Sequence, residues 1–279
     1  MLVTQAKPGS FPETLRALAQ MHPELVVVSP NPDYGAMAFA GAFPSRYHQV
    51  SPVDANLIEF AAGLAARGLR PVVTGFPWSH TEFLFGNPVP LILIAFDSFR
   101  DISMMRVIRD MTVVTPADDG ELHSVLEEAL AQRGPVYVRA PAGAEPVGFK
   151  EAPPEFRIGK ARKLRDGFHL TIAVCGAATA IAVEAAKRLA QEGISAELLE
   201  IPTIKPIDTD ALARSARKTC SVLTVEDHSV HGGLGSAVAE TLCRFFPTGM
   251  QMIAAEDGPV TVEKIAQKAR LMARMGDCV

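Results

Sequence analysis

Short apolar runs alternate with longer stretches of mixed polarity along most of the chain. The runs at 25–29, 91–96 and 136–139 are nearly continuous in aliphatic or β-branched residues. Runs of this kind predict strands that are buried on both faces, as in a parallel sheet. The stretches at 52–67 and 118–132 carry apolar residues at helical spacing, and they predict helices.

The same alternation resumes after a change of texture. Residues 140–165 are rich in proline, glycine and charge, which is typical of a connection between domains. Beyond it, strands are predicted at 170–175, 195–200 and 221–225, and helices at 179–192, 208–218 and 235–246. We therefore predict an α/β protein with two domains, 1–145 and 167–279, joined by a linker at 146–166. Each domain is expected to be a mostly parallel sheet covered by helices.

Composition removes several classes of function. The 279 residues are 48% apolar and 21% charged, with a net charge of −4, which suits a two-domain protein with sizeable cores. The sequence has no basic stripe, so a nucleic-acid partner is not expected. It also has no run of about 18 apolar residues, so a membrane span is not expected. The four cysteines have no zinc spacing, and the N-terminus lacks the apolar core of a signal peptide. A cytoplasmic protein without structural disulfides is the expectation.

A segment near the N-terminus carries the first family resemblance. It reads FPSRYHQVSPVDANL at 43–57, followed by AAGLA at 61–65. It resembles the pyrimidine-binding domain of the transketolase family, in which the pattern is F-P-x-R-F-x-x-x-G-I-x-E-x-x-M and a helix then contains A-x-G-L-A. The glutamate of that pattern corresponds to Asp54. The resemblance implies thiamine diphosphate as the cofactor and an altered catalytic carboxylate.

The second half resembles the C-terminal domain of the same family. TIKPID at 203–208 is similar to its T-I-K-P-L-D segment, and 226–240 is similar to its E-x-H-x-x-x-G-G-L-G-x-x-x-x-E segment. The resemblance covers roughly 20–279, and it implies self-association through the C-terminal domain. From the residues alone, Gly232, Gly233 and Gly235 either allow close packing at a helix start or expose amides to an anion. His228 and His231 are expected to be structural or interfacial.

The family's diphosphate-binding domain is missing from this sequence. Its G-D-G motif and distant asparagine, which hold Mg²⁺ and the diphosphate, do not occur. The resemblance therefore implies a split enzyme, in which a partner subunit supplies that domain and holds the Mg²⁺. The two kinds of subunit are expected to form a heterotetramer. Within the pyrimidine domain, the R-A-x-D-Q helix is shortened or absent and the G-x-T-H-Q loop is missing, which implies an altered substrate pocket.

The resemblance assigns the cofactor contacts to three residues. Asp54 corresponds to the carboxylate that hydrogen-bonds the pyrimidine ring, but it is one methylene shorter, and a shift of about 1 Å costs on the order of 100-fold in rate. Its alternative role is a helix N-terminal carboxylate. Phe76 matches the aromatic residue that stacks on the pyrimidine, and Trp78 follows it. Both rings could equally fill core space.

Arg139 at the end of a predicted strand corresponds to a family arginine that binds a sugar phosphate. A guanidinium suits phosphate because it can donate two parallel hydrogen bonds. The alternative is a salt bridge to a partner chain or to the linker. His80, near the same pocket, is more simply explained as a surface-loop histidine.

The leading hypothesis is the C-terminal subunit of a split transketolase-like enzyme that transfers a two-carbon ketol unit. Two alternatives remain. The chain is a non-catalytic scaffold or regulatory paralogue, which Asp54 and the shortened pocket favour, or it is a beta-type subunit of a complex like the 2-oxo-acid dehydrogenases.

Overall fold

Two sheets, one in each half of the chain, organise the residues that the structure describes. The protein was analysed as a computed structural model, which describes residues 11–31, 34–50, 56–96, 100–141, 147 and 156–275. The first sheet has seven strands in the order β10-β5-β6-β4-β3-β1-β2. Its strands are β1 (Leu25–Ser29), β2 (Tyr47–Gln49), β3 (Arg70–Thr74), β4 (Ile92–Phe96), β5 (Thr112–Val114), β6 (Val136–Ala140) and β10 (Thr203–Lys205).

Helices cover both faces of this sheet. They are α1 (Phe11–Met21), α2 (Tyr34–Ala42), α3 (Asn56–Ala66), α4 (Asp101–Val107) and α5 (Asp119–Leu130). Val72 packs in one apolar cluster with residues of α1, α2 and α5, whereas Val73 packs in another with residues of α3 and α4. Successive strand residues point to opposite faces, so continuous apolar strands such as β3 feed both cores at once.

The second sheet has five strands in the order β12-β11-β8-β9-β7. All neighbours are parallel except β7, which pairs antiparallel with β9. The strands are β7 (Arg162–Arg165), β8 (Leu170–Val174), β9 (Ala196–Glu200), β11 (Ser221–Val225) and β12 (Gly249–Ile253). The covering helices are α6 (Ala178–Gln191), α7 (Thr209–Thr219), α8 (Leu234–Phe245) and α9 (Val262–Met275).

The two halves are joined by more than the connection at 141–161. Strand β10 comes from the C-terminal half, yet it pairs antiparallel with β5 at the edge of the first sheet. One apolar cluster also contains Leu93 from the first half and Leu199 and Val238 from the second. The halves therefore share both a sheet and a core. The domain boundaries at 145 and 167 stay a prediction.

The two-domain α/β fold class is confirmed, and most predicted elements are found within a few residues of their expected limits. The predicted helix at 118–132 is α5, and the side chain of Asp118 caps it by accepting from the amide of Glu121. In place of the family's R-A-x-D-Q helix, residues Trp78–Phe85 form a 3₁₀ helix. Among the described helices, none is long and apolar enough to cross a membrane.

One expectation about the cysteines is wrong. Cys220 is disulfide-bonded, whereas Cys175 and Cys243 are free thiols. Disulfide formation depends on which cysteines meet in space, and the spacing of four scattered cysteines along the sequence carries no information about that.

Candidate functional site

Aromatic side chains gather where the parallel strands of the first sheet end. Strands β6, β4, β3 and β1 are neighbours, so their carboxyl ends lie along one edge, where ligands of open α/β sheets usually bind. Phe76 follows β3, and its ring lies 5.0 Å from that of Trp78 in an edge-to-face contact. Trp78 in turn lies 6.0 Å from the ring of Tyr137 on β6. The structure thus brings the two predicted cofactor-contacting rings together.

Helix α3 begins beside this aromatic group. It packs against the 3₁₀ helix that Trp78 opens, and Leu57 in its first turn belongs to the same apolar cluster as Phe76. Asp54 lies two positions before α3 and outside the described residues, so its role stays a prediction.

The polar atoms nearby suit a flat heteroaromatic ligand. His80 lies on the same 3₁₀ helix, and its Nδ1 is buried without a hydrogen-bond partner among the described residues. A buried polar atom without a partner is costly and usually marks a missing ligand or water. An aromatic surface beside an unpaired ring nitrogen fits the face and the polar edge of an aminopyrimidine. Phe76 itself is only 6% exposed, so the ring also fills core space.

Arg139 sits in a buried network of charged groups. Its Nε lies 3.2 Å from Oδ2 of Asp101, and its Nη1 donates to Oδ1 of Asp227 over 2.8 Å. Tyr137 also donates to Asp101, and Nε2 of His228 lies 3.1 Å from the other oxygen of that carboxylate. Asp101 opens α4 in the first half, whereas Asp227 and His228 follow β11 in the second. The network therefore ties the two halves together within one chain.

Arg139 forms ion pairs within its own chain. Its described ion pairs are internal, to Asp101 and Asp227, rather than to the linker or to another chain. The guanidinium is 6% exposed, and Asp227 takes one of its terminal nitrogens. Phosphate binding by Arg139 stays a prediction, and it requires a phosphate to share or replace the contact with Asp227. His228 is completely buried, in agreement with a structural role.

The ionisation of this network follows from its contacts. Burial raises the pKa of Asp101, but His228, Arg139 and Tyr137 outweigh it, so the net pKa is lowered and the carboxylate is charged. Burial and the neighbouring charge of Asp101 raise the pKa of Tyr137 well above its ordinary value, so the phenol keeps its proton and donates it. Burial lowers the pKa of Arg139, but Asp227 and Asp101 more than reverse that effect.

A small cavity of about 160 Å³ opens beside Arg139. It lies between the halves and is lined by Pro116, Arg139, Ala140, Pro141, Gly176, Ala177 and Asp227. Gly176 has a φ of +60°, and a Cβ there would lie 3.3 Å from Oδ1 of Asp227. Glycine is required at this turn both for its backbone angle and for room beside the Arg139–Asp227 pair.

The glycine-rich turn before α8 performs a packing role. Glu226 accepts hydrogen bonds from the amides of Leu234 and Gly235, so an internal carboxylate already occupies the helix N-terminus. A Cβ on Gly233 would lie 2.0 Å from Oε2 of Glu226. Burial raises the pKa of Glu226 to about 7, even though the two amides oppose that shift. The turn therefore packs around Glu226, and the amides of Leu234 and Gly235 are not free to bind an external anion.

The sequence did not reveal the roles of Asp101, Asp227 and Glu226. Each lies at a strand or helix terminus, where charged residues are ordinarily solvated. The only available signal was the D-I-S-M-M-R and E-D-H motifs themselves, which do not say what their carboxylates contact. Among the described residues, no cluster of three or more His, Cys, Asp or Glu side chains could hold a metal ion.

Comparisons with known proteins agree with this architecture. The family model described as "Transketolase, C-terminal domain" matches residues 159–270. The chain is 36% identical over 247 residues to the 6-deoxy-6-sulfo-D-fructose transketolase subunit SqwH of Clostridium sp. (strain MSTE9), covering 78% of this chain and 74% of that protein. It is 34% identical over 256 residues to a putative transketolase C-terminal section of Methanocaldococcus jannaschii, covering 83% of this chain and 80% of that protein.

A solved structure matches almost the whole fold. It is titled "Split gene transketolase, inactive beta4 tetramer", and it aligns with a TM-score of 0.88 at 29% identity. The alignment covers 96% of this chain and 98% of that one. Both halves and their mutual arrangement are therefore shared with a chain of the same extent.

Proposed function

The chain belongs to the transketolase family as its C-terminal section, and we propose that it is one subunit of a split enzyme that transfers a two-carbon ketol unit. The observation that carries this proposal is the near-complete overlap with a split-gene transketolase chain. We propose that the chain holds the pyrimidine-binding half of a cofactor site and that a second polypeptide supplies the other half.

The proposed cofactor is thiamine diphosphate, bound at the carboxyl edge of the first sheet. When bound, it supplies the nucleophilic carbon and the electron sink that ketol transfer requires. Phe76 contacts the pyrimidine ring, and Trp78 holds Phe76 in place through its edge-to-face contact. Asp54 hydrogen-bonds the ring nitrogen and so sets the protonation of the pyrimidine. The packed side chains of Phe76 and Trp78 would exclude water from the reacting centre.

Arg139 is the proposed receptor for the anionic end of the sugar substrate. Asp101 fixes its guanidinium on one side, and Asp227, which contacts it on the other, lines the adjoining cavity together with Arg139. The similar clostridial protein is named for 6-deoxy-6-sulfo-D-fructose, a sugar with an anionic sulfonate end. An anionic sugar is therefore the proposed substrate class here, with the altered pocket favouring a donor or acceptor other than the common sugar phosphates.

The proposed partner is a subunit that carries the diphosphate-binding domain and holds the Mg²⁺. Two copies of each would form a heterotetramer, with this chain self-associating through its C-terminal domain. The split-gene chain to which this one is similar is titled an inactive β4 tetramer, which supports self-association and the need for a partner. We propose a cytoplasmic location, which the free thiols of Cys175 and Cys243 support and the disulfide of Cys220 opposes.

A second candidate function is a non-catalytic scaffold for an active paralogue. The specific observation that favours it is the carboxylate of Asp227 on Arg139, which fills the proposed substrate receptor with an internal group. The shortened carboxylate at Asp54 points the same way.

The test is ketol transfer by the complex with its diphosphate-domain partner, in wild-type form and with Asp54→Ala and Asp54→Glu. If Asp54 acts on the cofactor, Asp54→Ala lowers kcat by about 100-fold or more, and Asp54→Glu retains activity. Full activity of the Asp54→Ala complex would instead establish the scaffold role. Asp210→Ala is the matched control, because Asp210 lies in the first turn of α7, in the other half.

A further inference from the structure

The carboxylate of Asp227 occupies a place that an anionic ligand of Arg139 would take. Its Oδ1 accepts from Nη1 of Arg139 over 2.8 Å, and its backbone carbonyl accepts from Nη2 over 3.3 Å. Arg139 and Asp227 both line the cavity of about 160 Å³ between the two halves. A ligand that enters this cavity meets the guanidinium and Asp227 together.

We infer that Asp227 is an internal competitor for Arg139 and thereby limits how tightly this site binds an anion. An incoming anion must displace the Asp227 carboxylate from Nη1 before it can pair with the guanidinium. This inference rests on the proposed function insofar as Arg139 receives the anionic end of the substrate. It adds a residue, Asp227, that controls the anion affinity of the site without belonging to the chemistry.

The two carboxylates on Arg139 differ in their freedom to leave. Asp101 is completely buried and contacts Tyr137 and His228 as well as Arg139, so its displacement would break three buried contacts. The side chain of Asp227 is 30% exposed, and its described side-chain contact is the one with Arg139. Asp101 therefore holds the guanidinium in place while Asp227 is exchanged.

The cavity has room for the exchange. A water molecule takes about 30 Å³ of liquid volume, so about 160 Å³ accommodates a group with the size of a phosphate. Gly176 leaves this space open, since a Cβ there would already touch Oδ1 of Asp227. The backbone contact between Asp227 and Nη2 keeps the loop attached when the carboxylate rotates away.

Competition by Asp227 lowers the affinity of the site for every anion. Each ligand pays the same free energy to displace the carboxylate, so the ratio of two anion affinities is unchanged. A dianion gains more Coulomb energy from the guanidinium than a monoanion does, and phosphate carries nearly two negative charges above pH 7. Phosphate should therefore overcome the competition at a lower concentration than a sulfonate, which carries one charge.

The test is calorimetric titration of the full chain with inorganic phosphate and, separately, with methanesulfonate, at pH 7.5 and low ionic strength. Asp227→Asn keeps the shape of the side chain and removes its charge. We expect it to bind phosphate about tenfold more tightly than wild type, which corresponds to about 1.4 kcal/mol. Methanesulfonate should gain by about the same factor as phosphate, because both anions are freed from the same displacement cost.

Two further variants make the result decisive. Arg139→Gln should abolish the phosphate binding, and Asp166→Asn is the matched control, since Asp166 is an exposed carboxylate paired with Lys218. Asp227→Ala replaces Asp227→Asn if the latter fails to fold, as judged by its melting temperature. Equal phosphate affinity in Asp227→Asn, wild type and Asp166→Asn would overturn the inference. So would an absence of phosphate binding in every variant, or binding that survives Arg139→Gln.

This experiment is independent of catalysis. It uses the chain alone with a simple anion, and neither cofactor nor partner subunit enters it. A failed ketol-transfer assay with a successful phosphate titration would remove the proposed reaction and leave the role of Asp227. The reverse result would remove Asp227 as a competitor and leave the reaction.

Discussion

Replacement of Asp101 by asparagine should destabilise the protein far more than its small change in shape suggests. Asp101 is completely buried, and one of its oxygens faces Tyr137 and Arg139 while the other faces His228. Asparagine offers one acceptor oxygen and an amide group that only donates. An amide nitrogen that faced Tyr137 and Arg139 would set a donor against two donors. In either orientation, asparagine removes the negative charge with which the buried Arg139 is paired.

The expected loss is about 3 kcal/mol of unfolding free energy. Removal of one partner from a buried ion pair typically costs about 3–5 kcal/mol, and Asp101→Asn falls at the lower end because one acceptor remains. At about 2–4 °C per kcal/mol, the melting temperature should fall by roughly 6–12 °C. Denaturation followed by the fluorescence of Trp78, the single tryptophan, measures the change.

Asp110→Asn is the matched control, because Asp110 is exposed and lies 4.0 Å from Arg109. Exposed substitutions of this kind change stability by about 0.5 kcal/mol or less. A double-mutant cycle with Tyr137→Phe should show a coupling energy of about 0.5–3 kcal/mol. An unfolding free energy of Asp101→Asn within about 0.5 kcal/mol of the wild-type value would refute the network as the connection between the halves.

Two further predictions concern the turn before α8 and a second buried cluster. Gly233→Ala should lower the melting temperature sharply, since the new Cβ would lie 2.0 Å from Glu226. Gly63→Ala on the open face of α3 is the control, and it should raise stability by about 0.5–1 kcal/mol. Equal melting temperatures of the two variants would contradict the packing role of Gly233. Burial and the charge of Glu121 raise the pKa of Glu200 from 4.5 to about 8, so the folded chain holds this proton more tightly than the unfolded chain. Unfolding free energy should therefore fall as the pH rises from about 4.5 through about 8. Urea denaturation across that range should show a smaller fall in unfolding free energy for Glu200→Gln than for wild type. The same dependence of unfolding free energy on pH in both proteins would contradict the raised pKa of Glu200.

The sequence predicted the fold well because local pattern and global architecture agree in the parallel strands. A strand such as β6 is apolar on both faces, and only a doubly covered sheet buries it. Strand β10 was missed as a strand because three residues carry no periodicity, and its pairing with β5 brings together segments almost ninety residues apart. Helix α9, in contrast, has a clear amphipathic pattern that the sequence reading passed over.

The candidate site was predictable only in part. The F-x-W spacing after β3 located the aromatic group, since a residue just past a parallel strand must lie at the carboxyl edge. The partners of Arg139 were not predictable, because Asp101 precedes it by 38 positions and Asp227 follows it by 88. Such contacts depend on how the halves dock, and no local pattern encodes that docking.

The central claim is that the cofactor site is divided between two polypeptides. The most direct measurement is calorimetric titration of thiamine diphosphate with Mg²⁺ into this chain alone and into its purified complex with a diphosphate-domain partner. The account predicts binding by the complex, no binding by the chain alone, and weakened binding in a complex with Phe76→Ala. A stable complex that binds no thiamine diphosphate would contradict the account.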